Sequence, residues 1–152
     1  MYADELWLYA NGDAMKIHHD VLNVRTDGRG FFDVTREVAR IVAGAQVTNG
    51  LCTVFVQHTS ASLVIQENAD PAVLRDLETW MSRLAPESAR YEHDDEGPDD
   101  MPAHLRGAIT KTSESIPIVQ GRLALGTWQA IYLWEHRSHA HSRRLVVTVL
   151  GQ

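Results

Sequence analysis

Residues 116–135 read I-P-I-V-Q-G-R-L-A-L-G-T-W-Q-A-I-Y-L-W-E. Ile116–Val119 and Arg122–Leu125 flank a Gln120-Gly121 turn, the pattern of two short strands joined as a hairpin. Beyond Gly126, the run from Trp128 to Glu135 sets Trp128, Ala130, Tyr132 and Trp134 on one face of a strand. Gln129, Ile131, Leu133 and Glu135 fall on the other. Arg144–Leu150 supplies a further strand. These segments together read as a meander with turns at Gly126 and at residues 136–142.

Upstream, Met15–Val24 reads as a strand disturbed at His18-His19-Asp20, and its two histidines point to opposite faces. Apolar residues at 34, 38, 41, 42 and 45 give an amphipathic helix that Asp33 or Thr35 can cap, ending near Gly44 and Asn49-Gly50. Leu51–Gln57 and Ser62–Gln66 are strands. Asp70-Pro71 places a cap and a first-turn proline ahead of a helix whose apolar stripe is Val73, Leu74, Leu77, Trp80, Met81 and Leu84. A short helix starts near Met101-Pro102, with Asp99 or Asp100 at its cap. The expected architecture is α+β: one domain over residues 15–151, built of antiparallel β-sheets in a sandwich-like arrangement, with two main helices and a short one. Residues 1–14 form an N-terminal extension.

Composition narrows the function. With 152 residues, 44% of them hydrophobic, the chain suits a single core, and its formal net charge of -6 gives no support to nucleic-acid or anionic-membrane binding. No apolar run is long enough for a bilayer, and the N-terminal residues lack the pattern of a secretory signal. The lone Cys52 excludes an intramolecular disulfide and sits in an apolar strand as packing. A cytoplasmic protein is expected. Eight histidines are the compositional hint of chemistry.

The densest chemistry is Y-E-H-D-D-E-G-P-D-D-M-P-A-H-L-R, residues 91–106, with six acids, two histidines and one arginine. Asp100 and His104, four apart, share one face of a helical turn, and His93 lies just upstream. A carboxylate and imidazoles converging on one point suit a divalent metal or an acid/base pair; a solvated acidic loop is the plain alternative. The second constellation is Gln57-His58-Thr59-Ser60-Ala61-Ser62. A histidine followed by small hydroxyl residues at a strand end makes an anion or phosphate pocket, or simply a polar turn. Glu67-Asn68 reads as a helix start, and Gln129 and Glu135 as polar ends of a core strand. His136, His139 and His141, among Arg137, Arg143 and Arg144, read as a solvated hairpin tip.

Several segments together resemble a known family. R-G-F-F-D-V-T at 29–35, Q-H-T-S-A-S-L at 57–63, Q-E-N-A-D-P at 66–71, D-D-M-P-A-H-L at 99–105 and G-R-L-A-L-G-T-W-Q at 121–129 occur in this order, followed by L-W-E-H-R and L-V-V-T-V-L-G. They are similar to the YjbQ-like family of small bacterial and archaeal proteins, also labelled secondary thiamine-phosphate synthase. That resemblance implies a homotrimer and a site near subunit boundaries with a bound divalent metal, Mg or Zn, or an anion. It further implies a phosphorylated small-molecule substrate, with joining of thiazole phosphate to pyrimidine pyrophosphate as the named activity. Carried over by position, His58, His104 and Glu67 are the expected catalytic residues. Ser60, Asn68, Gln129 and Glu135 are expected to bind substrate, and His104, Asp100 and His93 the metal. A non-catalytic trimeric protein that binds a metabolite or metal is the alternative.

Overall fold

The computed structural model describes residues 14–152, so the extension expected over residues 1–14 falls almost wholly outside the described residues. Eight strands and three helices follow in the order β1 (Lys16–Thr26), β2 (Gly30–Asp33), α1 (Thr35–Ala45), β3 (Gly50–Val56), β4 (Ala61–Glu67), α2 (Pro71–Leu84), α3 (Asp100–Ile109), β5 (Ser113–Val119), β6 (Arg122–Leu123), β7 (Gln129–Glu135) and β8 (His141–Gly151). They build two antiparallel sheets, β1-β8-β3-β5-β6 and β2-β7-β4. The α+β architecture expected from the sequence is the one observed.

The core lies between the sheets and under α1. Cys52, Val54 and Val56 of β3 and Leu145, Val147 and Val149 of β8 meet Leu63, Ile131 and Leu133 of the smaller sheet, and Val38 and Val42 of α1 close one side. Burial of this apolar surface is the main stabilising contribution. The Asp33 carboxylate accepts the Thr35 N–H at 2.9 Å ahead of α1, and Gln46, in the left-handed region at φ 52°, ends that helix. Asp70 caps α2 through the Ala72 N–H at 2.9 Å, with Pro71 in the first turn, as expected.

Three expectations are corrected. The C-terminal strands are not a meander: after β6 the chain leaves the larger sheet, runs β7 through the centre of the smaller one, and returns as β8 between β1 and β3. The cause is that β7 is apolar on both faces, Ile131 and Leu133 on one and Tyr132 and Trp134 on the other, so it needs cover on both. In the α2 stripe only Met81 is buried, and Trp80 and Leu84 are exposed. Glu78 turns inward on that helix because the Arg106 guanidinium (2.6 Å) and Trp134 Nε1 (2.9 Å) give it donors. The segment after β7 is not a solvated tip throughout: His136 and Arg143 are buried, while His139 is exposed.

Candidate functional site

The first residue of α3 and its fifth carry the expected pair. Asp100 is buried, and its Oδ2 lies 2.7 Å from His93 Nε2 and 3.7 Å from His104 Nε2. His93 arrives from the loop after α2, and its ring lies 5.4 Å from that of His104. One ligand atom from each of the three falls within 4.8 Å of the others. A tetrahedral ion with bonds near 2.0–2.1 Å needs donor atoms roughly 3.3 Å apart, so small side-chain adjustments would let this trio hold one.

The other Asp100 oxygen is already engaged. Arg137 Nη1 donates to Oδ1 at 2.5 Å, and Arg137 Nε donates to Asp99 at 3.1 Å. Asp99 precedes α3 but makes no side-chain cap; its carboxylate instead accepts the N–H of Ser138 at 2.8 Å and its hydroxyl at 3.0 Å. Burial alone would raise the Asp99 pKa, but the Ser138 N–H, Arg137 and the Ser138 hydroxyl outweigh it and hold the group at about 2. Arg137 thus ties the acidic stretch to the β7–β8 loop and leaves Asp100 Oδ2 facing the histidines.

The His58–Ser60 turn between β3 and β4 sits against α3. A methyl at Gly107 would stand 2.6 Å from the Thr59 carbonyl oxygen, so this contact admits glycine alone without a shift. The Ser60 N–H donates to His58 Nδ1 at 3.1 Å, and Ser60 Oγ lies 3.1 Å from the same nitrogen. Arg143 Nη2 donates to Ser60 Oγ at 3.2 Å. Burial first, then Arg143, lowers the His58 pKa; Glu135 opposes this, and His141 and His104 add to the lowering.

Glu135 is fully buried beneath the turn. Its carboxylate accepts from Arg143 Nε (2.7 Å) and Nη2 (2.6 Å), the Thr26 hydroxyl (3.0 Å), and the backbone N–H groups of His136 and Arg137 (each 3.0 Å). Desolvation would raise its pKa, but Arg143 and the other donors carry it below the ordinary value. With both oxygens taken by protein donors, Glu135 serves to hold β1, β7 and β8 together at this end. Beside it His136 Nε2 meets Ser62 Oγ at 2.8 Å. Burial, with Arg106, Arg29 and Arg143 nearby, pushes His136 down to about 3.

The remaining expected residues lie elsewhere. Ala61 pairs with Glu135 at one end of the β4–β7 ladder, and Glu67 pairs with Gln129 at the other. Six strand steps separate the ends, about 20 Å. There Glu67 and Gln129 line an open cavity of about 410 Å³ with Ile65, Gln66, Ala69 and Trp128. Asn68 is exposed next to it, its N–H bonded to the Trp128 carbonyl at 3.0 Å. One chain therefore brings His58, Ser60, His93, Asp100, His104 and Glu135 to one end and Glu67, Asn68 and Gln129 to the other. Arg137 and Arg143 were missed in the sequence. Arg143 had a signal, since it shares strand parity with the inward Leu145, Val147 and Val149.

Residues 20–152 match the protein family described as UPF0047 protein YjbQ-like. A UPF0047 protein of Synechocystis is 54% identical over 136 residues, 89% of this chain and 92% of its own length. The UPF0047 protein YjbQ of Escherichia coli O157:H7 is 43% identical over 136 residues, covering 89% and 99%. Among solved structures, a YbjQ-like protein of Sulfolobus solfataricus superposes with TM-score 0.83 at 29% identity, covering 91% of this chain and all (100%) of the other. A YjbQ/UPF0047 protein of Clostridium acetobutylicum gives TM-score 0.80 at 34% identity, covering 86% and 98%.

Proposed function

The chain belongs to the YjbQ-like UPF0047 family, and for this member we propose a small metal-assisted enzyme acting on a phosphorylated small molecule. The observation that carries the reading is the convergence of His93, Asp100 and His104, with the acid between them anchored by Arg137. Two imidazoles and one carboxylate oxygen suit Zn better than Mg, which demands oxygen donors. A bound divalent ion would neutralise phosphate charge in a region otherwise crowded with acids. The chain's own residues then divide the work. Asp100 and the two histidines hold the ion, Arg137 fixes the carboxylate, and the exposed His58 faces the substrate beside the contact between α3 and the turn. Ser60, expected to bind substrate, is buried and supports the His58 ring instead.

The specific reaction to test first is the joining of a thiazole phosphate to a pyrimidine pyrophosphate. We further propose a cytoplasmic homotrimer. Among the described residues no helix is long and apolar enough to cross a membrane. The outer face of the larger sheet exposes Ile17, Val21, Leu51, Phe55 and Leu150, an apolar surface that suits contact with other copies. A single site built from both sets of residues would require the Glu67–Gln129 end of one copy to meet the His58 end of another. The separation of these two ends within one chain supports the second reading, a non-catalytic metal- or metabolite-binding protein.

Metal content tests the proposal. Protein purified without a histidine tag should carry stoichiometric metal that His104→Ala and Asp100→Asn lose while keeping the fold. Metal absent from all three, equally folded, would sink the metal-assisted reading. Turnover with a pH inflection that His58→Ala abolishes separates enzyme from binder.

A further inference from the structure

A backbone N–H can only donate, so the Ser60 N–H at 3.1 Å obliges His58 Nδ1 to accept. In the neutral ring the proton must then sit on Nε2. Ser60 is itself held: its hydroxyl takes the Arg143 Nη2 donor at 3.2 Å, and its carbonyl accepts the His136 N–H at 3.3 Å. Arg143 in turn is clamped by two hydrogen bonds to the buried Glu135, so the guanidinium has one orientation. The resulting line runs Glu135, Arg143, Ser60, His58, from the interior to an exposed ring.

We infer that Arg143 is a positioning residue that, backed by Glu135, fixes His58 as a neutral imidazole presenting an Nε2–H donor. Two consequences follow from the chemistry. A nitrogen that carries a proton has no lone pair for a metal, so His58 stands outside the His93–Asp100–His104 set although α3 packs beside it. And the ring meets an anionic oxygen as a donor, not as a base, because accepting a proton requires Nδ1, which faces the Ser60 N–H. The charged and titratable groups acting on the ring are Arg143 and His141 of β8, Glu135 of β7 and His104 of α3. The positive ones disfavour a second proton. The donor role in turnover rests on the function proposed above; the tautomer does not, and the two are read by separate measurements.

Ring-nitrogen NMR of histidine-labelled, ligand-free protein at neutral pH reports the tautomer directly, with the His58 signals identified by their loss in His58→Asn. The expected spectrum shows a proton on Nε2 and none on Nδ1, retained in Arg143→Lys and shifted part of the way toward the other tautomer in Arg143→Gln, where the Ser60 N–H remains but loses its brace. Ser60→Ala cuts the link to Arg143 by deleting one hydroxyl, keeps the backbone N–H, and guards against a misfolded Arg143→Gln; it too should shift the His58 signals part of the way toward the other tautomer. A proton on Nδ1 in the parent protein, or Ser60→Ala signals identical to the parent's, would overturn the inference. Zinc titration supplies the second arm: His58→Ala should bind as much zinc as the parent, and loss of zinc in that folded variant would overturn the exclusion of His58 from the metal set. If zinc binds neither protein while the Nε2 proton is seen, the metal reading fails and the inference stands.

Discussion

Charged side chains placed under the sheets, more than the exposed acids, set the behaviour of this end of the molecule. His136 shows it in a form that can be measured. Its folded pKa of about 3 lies below the 6.5 of an unperturbed imidazole. The unfolded chain therefore takes up a proton that the folded one refuses, and stability falls as pH drops from about 6.5 toward about 3, at up to about 1.4 kcal/mol per pH unit. His136→Gln keeps a polar nitrogen near Ser62 and removes the titration. Between about pH 6 and about pH 4 its urea-unfolding free energy should fall about 2–3 kcal/mol less than that of the parent. Parallel curves would mean that His136 is protonated in the fold. The sequence disclosed Asp100 and His104 because a spacing of four is a helical geometry that needs no tertiary knowledge. It hid Arg137 and Arg143, because an arginine in a polar run reads as solvated until a distant carboxylate is placed beside it. Glu135 and Asp99 are those carboxylates.

Helix α3 and the β3–β4 turn are held at a distance that one missing side chain permits. On an open helix surface Gly107→Ala would stabilise by about 1 kcal/mol. Here the new methyl would meet the Thr59 carbonyl at 2.6 Å, so α3 or the turn must retreat, and overpacking of this kind costs about 1–3 kcal/mol. The expected result is a lower melting temperature together with a changed His58 environment; a higher melting temperature would show that the two elements are not in contact. The strand propensity of apolar, β-branched and aromatic runs located β3, β4 and β7 from sequence, because their own residues carry that signal. It lost the start of β5 at Ser113–Ser115 and of β8 at His141–Arg143, where polar residues are recruited by pairing with Thr53, Val54 and Phe55 or with Val24, Arg25 and Thr26. The four-residue β2 was likewise absorbed into the approach to α1, since its strand character comes from pairing with β7.

For the whole molecule, the outer face of the larger sheet has an order that single strands do not reveal. Register aligns Ile17, Leu150, Leu51 and Pro117 in one row, His19, Thr148, Thr53 and Ser115 in the next, and Val21, Val146, Phe55 and Ser113 in a third. The middle row is laced by hydrogen bonds, His19 to Thr148 at 3.0 Å and Thr53 to Ser115 at 3.2 Å. Apolar rows flanking a self-satisfied polar one fit contact with further copies. Phe55→Arg places a charge in that surface and should convert the proposed trimer to monomers by sedimentation equilibrium, with far-UV circular dichroism unchanged; an unaltered mass would remove this face from the assembly. The same sheet also dictates when the protein can exist as a folded body. β8 is made after every other strand, yet it lies between β1 and β3 and pairs with β1 along its full length, well over a hundred residues back in the chain. Until β8 emerges, β1 has no neighbour in the sheet, and β3 has only β5. Such distant closure places folding on the millisecond-to-second scale. A nascent chain must therefore carry β1 without a sheet partner through nearly the whole of its synthesis, and the larger sheet can close only once the last strand is made.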